Sequence, residues 1–118
     1  MASESPKVRA LKKDDILAFY DEPFQQTIRG IAVELEGEPV AVAGVIATTP
    51  MQAISKIDDK LRKFPKAIVK VGKEFADILN LYEAPIYAVA DENEANSRNF
   101  LKHIGFIQIE DGVFKWQD

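Results

Sequence analysis

The fold of this chain turns on residues 51 to 90, "MQAISKIDDKLRKFPKAIVKVGKEFADILNLYEAPIYAVA". The second half reads as a helix over "KAIVKVGKEFADILNLY". Ile68, Val71, Phe75, Ile78, Leu79 and Tyr82 line one side of it, and Lys66, Lys70, Lys73 and Asp77 face water. Gly72 inside that helix costs about 1 kcal/mol relative to alanine, so the position marks close packing. Pro85 marks the exit, and "PIYAVA" reads as a short strand apolar enough to be buried on both faces. The first half has two readings. Met51, Ile54, Ile57, Leu61 and Phe64 recur at helical spacing behind Thr49-Pro50. A strand at "MQAISKI" followed by a charged turn fits as well, and periodicity leaves both open. With the strand, the order strand, helix, strand calls for parallel pairing.

Outward toward the N-terminus, "GIAVELEGEPVAVAGVIA" is a hairpin. Ile31, Val33 and Leu35 alternate with Ala32, Glu34 and Glu36, "EGEP" turns the chain, and "VAVAGVIA" returns. Before it, "KVRAL" forms a short strand and "KKDDILAFYDEPF" a short helix. Asp14 or Asp15 is its candidate N-cap, and Pro23 limits its run. Toward the C-terminus, "DENEANSRNFLKHIGFIQIEDGVFKW" (91–116) is a capped helix followed by two strands around Asp111-Gly112. With Gly105 as the left-handed residue that ends the helix, Leu101 and Phe106 form the apolar pair of a Schellman stop.

The whole order is β-α-β-β-β-α-β-α-β-β if 51–57 is a strand. Together with the ending "NSRNFLKHIGF", it resembles the GNAT superfamily of acyl-CoA-dependent N-acyltransferases. Their penultimate helix closes on a Leu-Gly-Phe-like turn, here Ile104-Gly105-Phe106. A closer likeness is to small phage proteins described as acetyltransferase-like or internal virion proteins. It runs through "ISKIDDKLRKF", "KAIVKVGKEFADILNLY" and "VADENEANSRNFLKHIGF" and covers residues 30 to 116. The resemblance selects the strand for 51–57. It implies an α/β fold with a mixed, mainly antiparallel sheet and a central parallel strand pair flanked by helices. This makes a single domain over 7–118 behind a flexible leader, 1–6.

The same resemblance implies a site. Acetyl-CoA would lie in a V between "MQAISKI" and "PIYAVA", against Ser55 and Ile57, with strand N–H groups polarising the thioester carbonyl. Its pyrophosphate would sit at the turn before the next helix, near Lys60, Arg62, Lys63 and Lys66. Asn93 and Ser97 resemble residues placed near the pantetheine arm, one residue further apart than usual. Glu34 and Glu36, on one strand face, stand where an acidic base would deprotonate an amine, borne on a small molecule or a protein.

Two features depart from that pattern. The turn "DDKLRKFPKA" has no glycine, carries Asp58 and Asp59, and loses one N–H at Pro65. Leu101 stands where many relatives place a tyrosine that protonates the leaving thiolate. Local roles also account for several of these residues. Asn93 suits an N-cap, Ser97 a bond to a carbonyl, and His103 the C-terminal end of a helix dipole. Tyr82 and Tyr87 read as half-buried aromatics, and Trp116 as a core or rim aromatic. Two functions therefore stand side by side. One is an N-acetyltransferase. The other is a non-catalytic phage structural or host-interaction domain with a homodimer, virion or host partner.

Composition narrows the classes further. The 118 residues suit one domain. Without cysteine there is no disulfide or thiolate chemistry, and the single histidine, His103, rules out a multi-histidine metal site. A net charge of −4 disfavours nucleic acid as a partner. No apolar run approaches the roughly 20 residues that span a bilayer, and "MASESPKVRALKKDD" lacks a secretory h-region. The expectation is a cytoplasmic protein, in the host or virion if phage-encoded.

Overall fold

The computed structural model describes residues 5–20, 27–83, 85–90, 93 and 95–116. Its elements are β1 (Lys7–Ala10), α1 (Lys13–Leu17), β2 (Ile28–Leu35), β3 (Glu38–Ile46), β4 (Met51–Ile57), a 3-10 helix (Asp59–Lys63), α2 (Pro65–Leu79), β5 (Ile86–Val89), α3 (Ala95–Ile104), β6 (Phe106–Glu110) and β7 (Val113–Trp116). The seven strands form one sheet in the order β1-β2-β3-β4-β5-β7-β6. Every neighbouring pair is antiparallel except β4 and β5. Residues 51–57 are thus a strand, and the single parallel pair falls where the strand-helix-strand order demands it.

Alternation along the strands sorts the core onto the two faces of the sheet. Val33, Val45, Ala53, Ile86, Ala88 and Phe114 meet Val71, Phe75 and Leu79 of α2 and Phe100 and Leu101 of α3. On the other face Ile46 and Ile54 pack with Ile16 of the short helix α1. Phe75 stacks on Phe100 with ring centroids 6.3 Å apart, and Trp116 joins the core against Phe106 at 5.2 Å. Gly72 is the close approach anticipated for it: an added Cβ would stand 2.9 Å from Cγ2 of Ile104.

Several local expectations need correction. The N-cap of α1 is Lys12, and Asp15 is the third helical residue. Its carboxylate reaches back to accept the Lys12 N–H at 2.8 Å, half of a capping box. Glu36 does not share a strand face with Glu34. It forms the two-residue turn with Gly37, at φ 54° and 81°, because such a hairpin needs both residues left-handed. β5 is buried on one face only; Ile86 and Ala88 face the helices while Val89 is 64% exposed. The helix stop at Gly105 is as expected, with φ 124°, its N–H on the Lys102 carbonyl, and Leu101 and Phe106 both buried. The expectations for the leader and for Pro23 fall largely outside the described residues, which leave out 1–4 and 21–26.

Candidate functional site

The site follows from where one strand outruns its neighbour. β4 and β5 pair at Met51↔Ile86, Gln52↔Tyr87 and Ala53↔Ala88, and there the ladder ends while β4 runs on to Ile57. Ile57 faces Ala41 of β3, and the next N–H, that of Asp58, donates to the Val40 carbonyl at 2.8 Å. In an antiparallel ladder this places Ile57, and by alternation Ser55 and Ala53, with their peptide groups turned away from β3. The peptide edge at Ser55 and Ile57 therefore looks into a V that β5 has left.

The first turn of α3 meets that edge. Ser97 Oγ donates to the Ser55 carbonyl at 2.7 Å in a buried contact. Asn96 Nδ2 donates to the Ile57 carbonyl at 3.3 Å and to Asp59 Oδ1 at 2.7 Å. The Ser55 hydroxyl is itself buried without a hydrogen-bond partner. In front of these contacts opens a cleft of about 540 Å³ lined by Phe19, Lys56, Ile57, Asp59, Arg62, Asn93, Asn96, Ser97 and Asn99. A second cavity of about 420 Å³ continues between α2 and α3 to Ile68, Phe100 and His103. The two share Ile57, Arg62, Asn96 and Asn99, so they form one groove.

The turn from β4 into α2 is built differently from a phosphate cradle. Asp58 Oδ1 accepts the Lys60 N–H at 2.9 Å, and the Asp58 carbonyl accepts the N–H of Leu61. Pro65, first residue of α2, has no N–H, and the N–H groups of Ala67 and Ile68 both go to the Phe64 carbonyl. The N–H groups of Lys60, Leu61, Ala67 and Ile68 are thus satisfied from within the chain.

Against this geometry the expected residues separate. Ile57, Arg62, Asn93 and Ser97 line the groove; Ser55 lies just beneath it and contributes its carbonyl. Lys60 and Lys63 do not line the groove. Lys63 lines a separate cavity with Lys66, Lys70 and Val8. Asn93 stands two residues ahead of Ala95, the first residue of α3, one short of the cap position. Glu34 and Glu36 lie in a small cavity with Ser5, Lys7 and Gly37 that shares no residue with the groove. Glu34 there accepts a bond from Arg9 Nε at 3.1 Å. Leu101, 1% exposed, points into the core. Sequence reasoning passed over Lys56, Asn99 and, above all, Asn96. The extra residue between Asn93 and Ser97 was its signal, because it places an asparagine directly beside Ser97.

A thioester cofactor of the kind implied by the resemblance would meet two cations lining the groove, Lys56 and Arg62. It does not fit the turn's backbone. An amide of such a ligand that sought the Ser55 or Ile57 carbonyl would have to displace Ser97 or Asn96. Among the described residues no cluster of metal-ligating side chains is present, and no helix is long and apolar enough to cross a membrane.

No protein-family model and no curated protein matches the sequence. Solved structures do. A mutant form of the spermidine/spermine N-acetyltransferase SpeG from Vibrio cholerae superposes with a TM-score of 0.54 at 14% identity. That match covers 94% of this chain and 92% of SpeG. The GNAT domain of S. lividans PAT gives 0.57 at 14% identity, over 93% of this chain and 88% of that one. A dodecameric spermidine N-acetyltransferase from V. cholerae gives 0.52 at 15%, over 93% and 91%. Strand order, the lone parallel pair and near-complete coverage agree on one conclusion: the chain has the GNAT fold.

Proposed function

We propose that the protein is a cytoplasmic N-acetyltransferase that takes acetyl-CoA in the groove between β4 and α3 and acetylates an amine. The observation that carries this reading is the end of β4–β5 pairing at Ala53↔Ala88, with the peptide edge of Ser55 and Ile57 facing the groove. When bound, acetyl-CoA supplies an acetyl group activated as a thioester. The outward N–H groups of that edge are aimed to polarise a carbonyl without reorganising. Asn93 and Asn99 line the cleft along the arm, Asn96 keeps its Oδ1 to accept, and Arg62 offers charge. With its net charge of −4 the chain suits a cationic acceptor. Polyamines, the substrates named for the SpeG neighbours, are therefore the first acceptors to test.

Differential scanning fluorimetry with acetyl-CoA is the direct test. Ligand at a hundredfold over its dissociation constant stabilises by about 2.7 kcal/mol and raises the melting temperature by several degrees. A flat melting curve up to millimolar acetyl-CoA, with no acetyl transfer to polyamines or lysine peptides, rules the reading out.

A second reading has its own support. Buried Leu101 cannot give up a proton, and Asp58 fills the turn, as in a domain that keeps the fold without the chemistry. That would be a non-catalytic phage structural or host-interaction protein. It requires the flat melting curve together with a stoichiometric complex with a defined virion or host protein.

A further inference from the structure

We infer that Asp58 closes the β4–α2 turn to phosphate, and that the Arg62 side chain reads the anionic end of the cofactor in its place. The inference rests on the acetyl-CoA reading above and concerns how the same groove tells its ligand from a shorter thioester.

The turn is excluded by its own bonds. An anion cradled there needs convergent N–H groups. The Lys60 N–H is held by the Asp58 carboxylate at 2.9 Å, that of Leu61 by the Asp58 carbonyl, and those of Ala67 and Ile68 by the Phe64 carbonyl. Pro65 offers none. A phosphate arriving there would meet a like charge on Asp58, with Asp59 next to it, and find those four donors already bonded.

Among the basic side chains around the turn, Arg62 alone lines both cavities of the groove. Among the described residues it has no hydrogen bond or ion pair to give up. It stands on the last turn of the 3-10 helix, across from Asn96, Asn99 and His103 of α3. Lys63 and Lys66 open onto the β1 side of α2 instead. A guanidinium also presents paired donors that match phosphate oxygens, which a lysine does not.

Calorimetric titration of the full chain with acetyl-CoA, S-acetyl-pantetheine and ADP tests this, using wild type, R62Q, D58A and K70Q, the last an exposed lysine off the groove. Losing a charge-assisted contact predicts about tenfold or greater weakening of acetyl-CoA and ADP by R62Q, with S-acetyl-pantetheine unchanged within about twofold. K70Q binds as wild type. D58A binds acetyl-CoA as well as wild type or more tightly, because it frees a donor and removes a repulsive charge. Wild-type affinity for acetyl-CoA in R62Q, an equal loss for S-acetyl-pantetheine, or weakened binding in D58A each overturns the inference and leaves the acetyl-CoA reading standing. Binding of neither thioester by wild type overturns both.

Discussion

Asp15 and Asp58 do the same local thing in different surroundings. Each carboxylate accepts a backbone N–H within three residues, from Lys12 at 2.8 Å and from Lys60 at 2.9 Å. Asp15 is 4% exposed, and Arg9 grips both its oxygens at 2.7 and 2.8 Å while also reaching Glu34. That charge-assisted pair holds Asp15 below its ordinary pKa, with the Lys12 N–H assisting, and raises that of Arg9. Asp58 stands beside an open groove with no ion pair among the described residues. One carboxylate fastens β1, α1 and β2 together. The other occupies a place a ligand could use. A capping bond therefore says little about role until its surroundings are known.

The two carboxylates should differ most when Arg9 is removed. Arg9→Ala strands a buried carboxylate, and the expected loss is about 3 kcal/mol, the lower end for a broken buried pair because Arg9 is partly solvated; urea unfolding measures it. Acidification is the next largest effect. Since the folded pKa of Asp15 lies below the unfolded value, its contribution is complete above about pH 4 and disappears as pH falls further. The fall should be shallower in Arg9→Ala; an equally steep fall in that variant would show that the Arg9–Asp15 pair is not what acid breaks. Ser97→Ala removes the buried bond to the Ser55 carbonyl and should cost about 1–2 kcal/mol. The smallest effect is Asp58→Ala itself, about 0.5–1 kcal/mol for a lost cap at a solvated turn, readable as a shift in melting temperature of a few degrees. A loss there as large as that of Arg9→Ala would show that Asp58 is structural after all.

Much of the fold was legible because its signals were local. The Glu36-Gly37 and Asp111-Gly112 turns, the Gly105 stop and the apolar side of α2 all follow from short-range chemistry. Residues 51–57 were not legible in that way. Ala53, Ser55 and Ile57 face the helices while Ile54 faces α1, a period of two that the apolar spacing of 51–64 overlays with a helical one. The site was harder still. Its defining contacts, Ser97 to Ser55 and Asn96 to Ile57, join residues about forty apart in sequence through backbone carbonyls, which carry no residue-type signature. Glu34 looked like an available base because its partner, Arg9, lies on another strand.

The self-sealed turn has a thermodynamic consequence. Asp58 and Phe64 already fix the backbone between β4 and α2, so a ligand settling in the groove finds that segment ordered before it arrives. At that turn a ligand would bear no entropic cost of immobilising a loose loop. The heat-capacity change of binding should follow the apolar area covered along Ile57 and Phe100, with no contribution from ordering that turn.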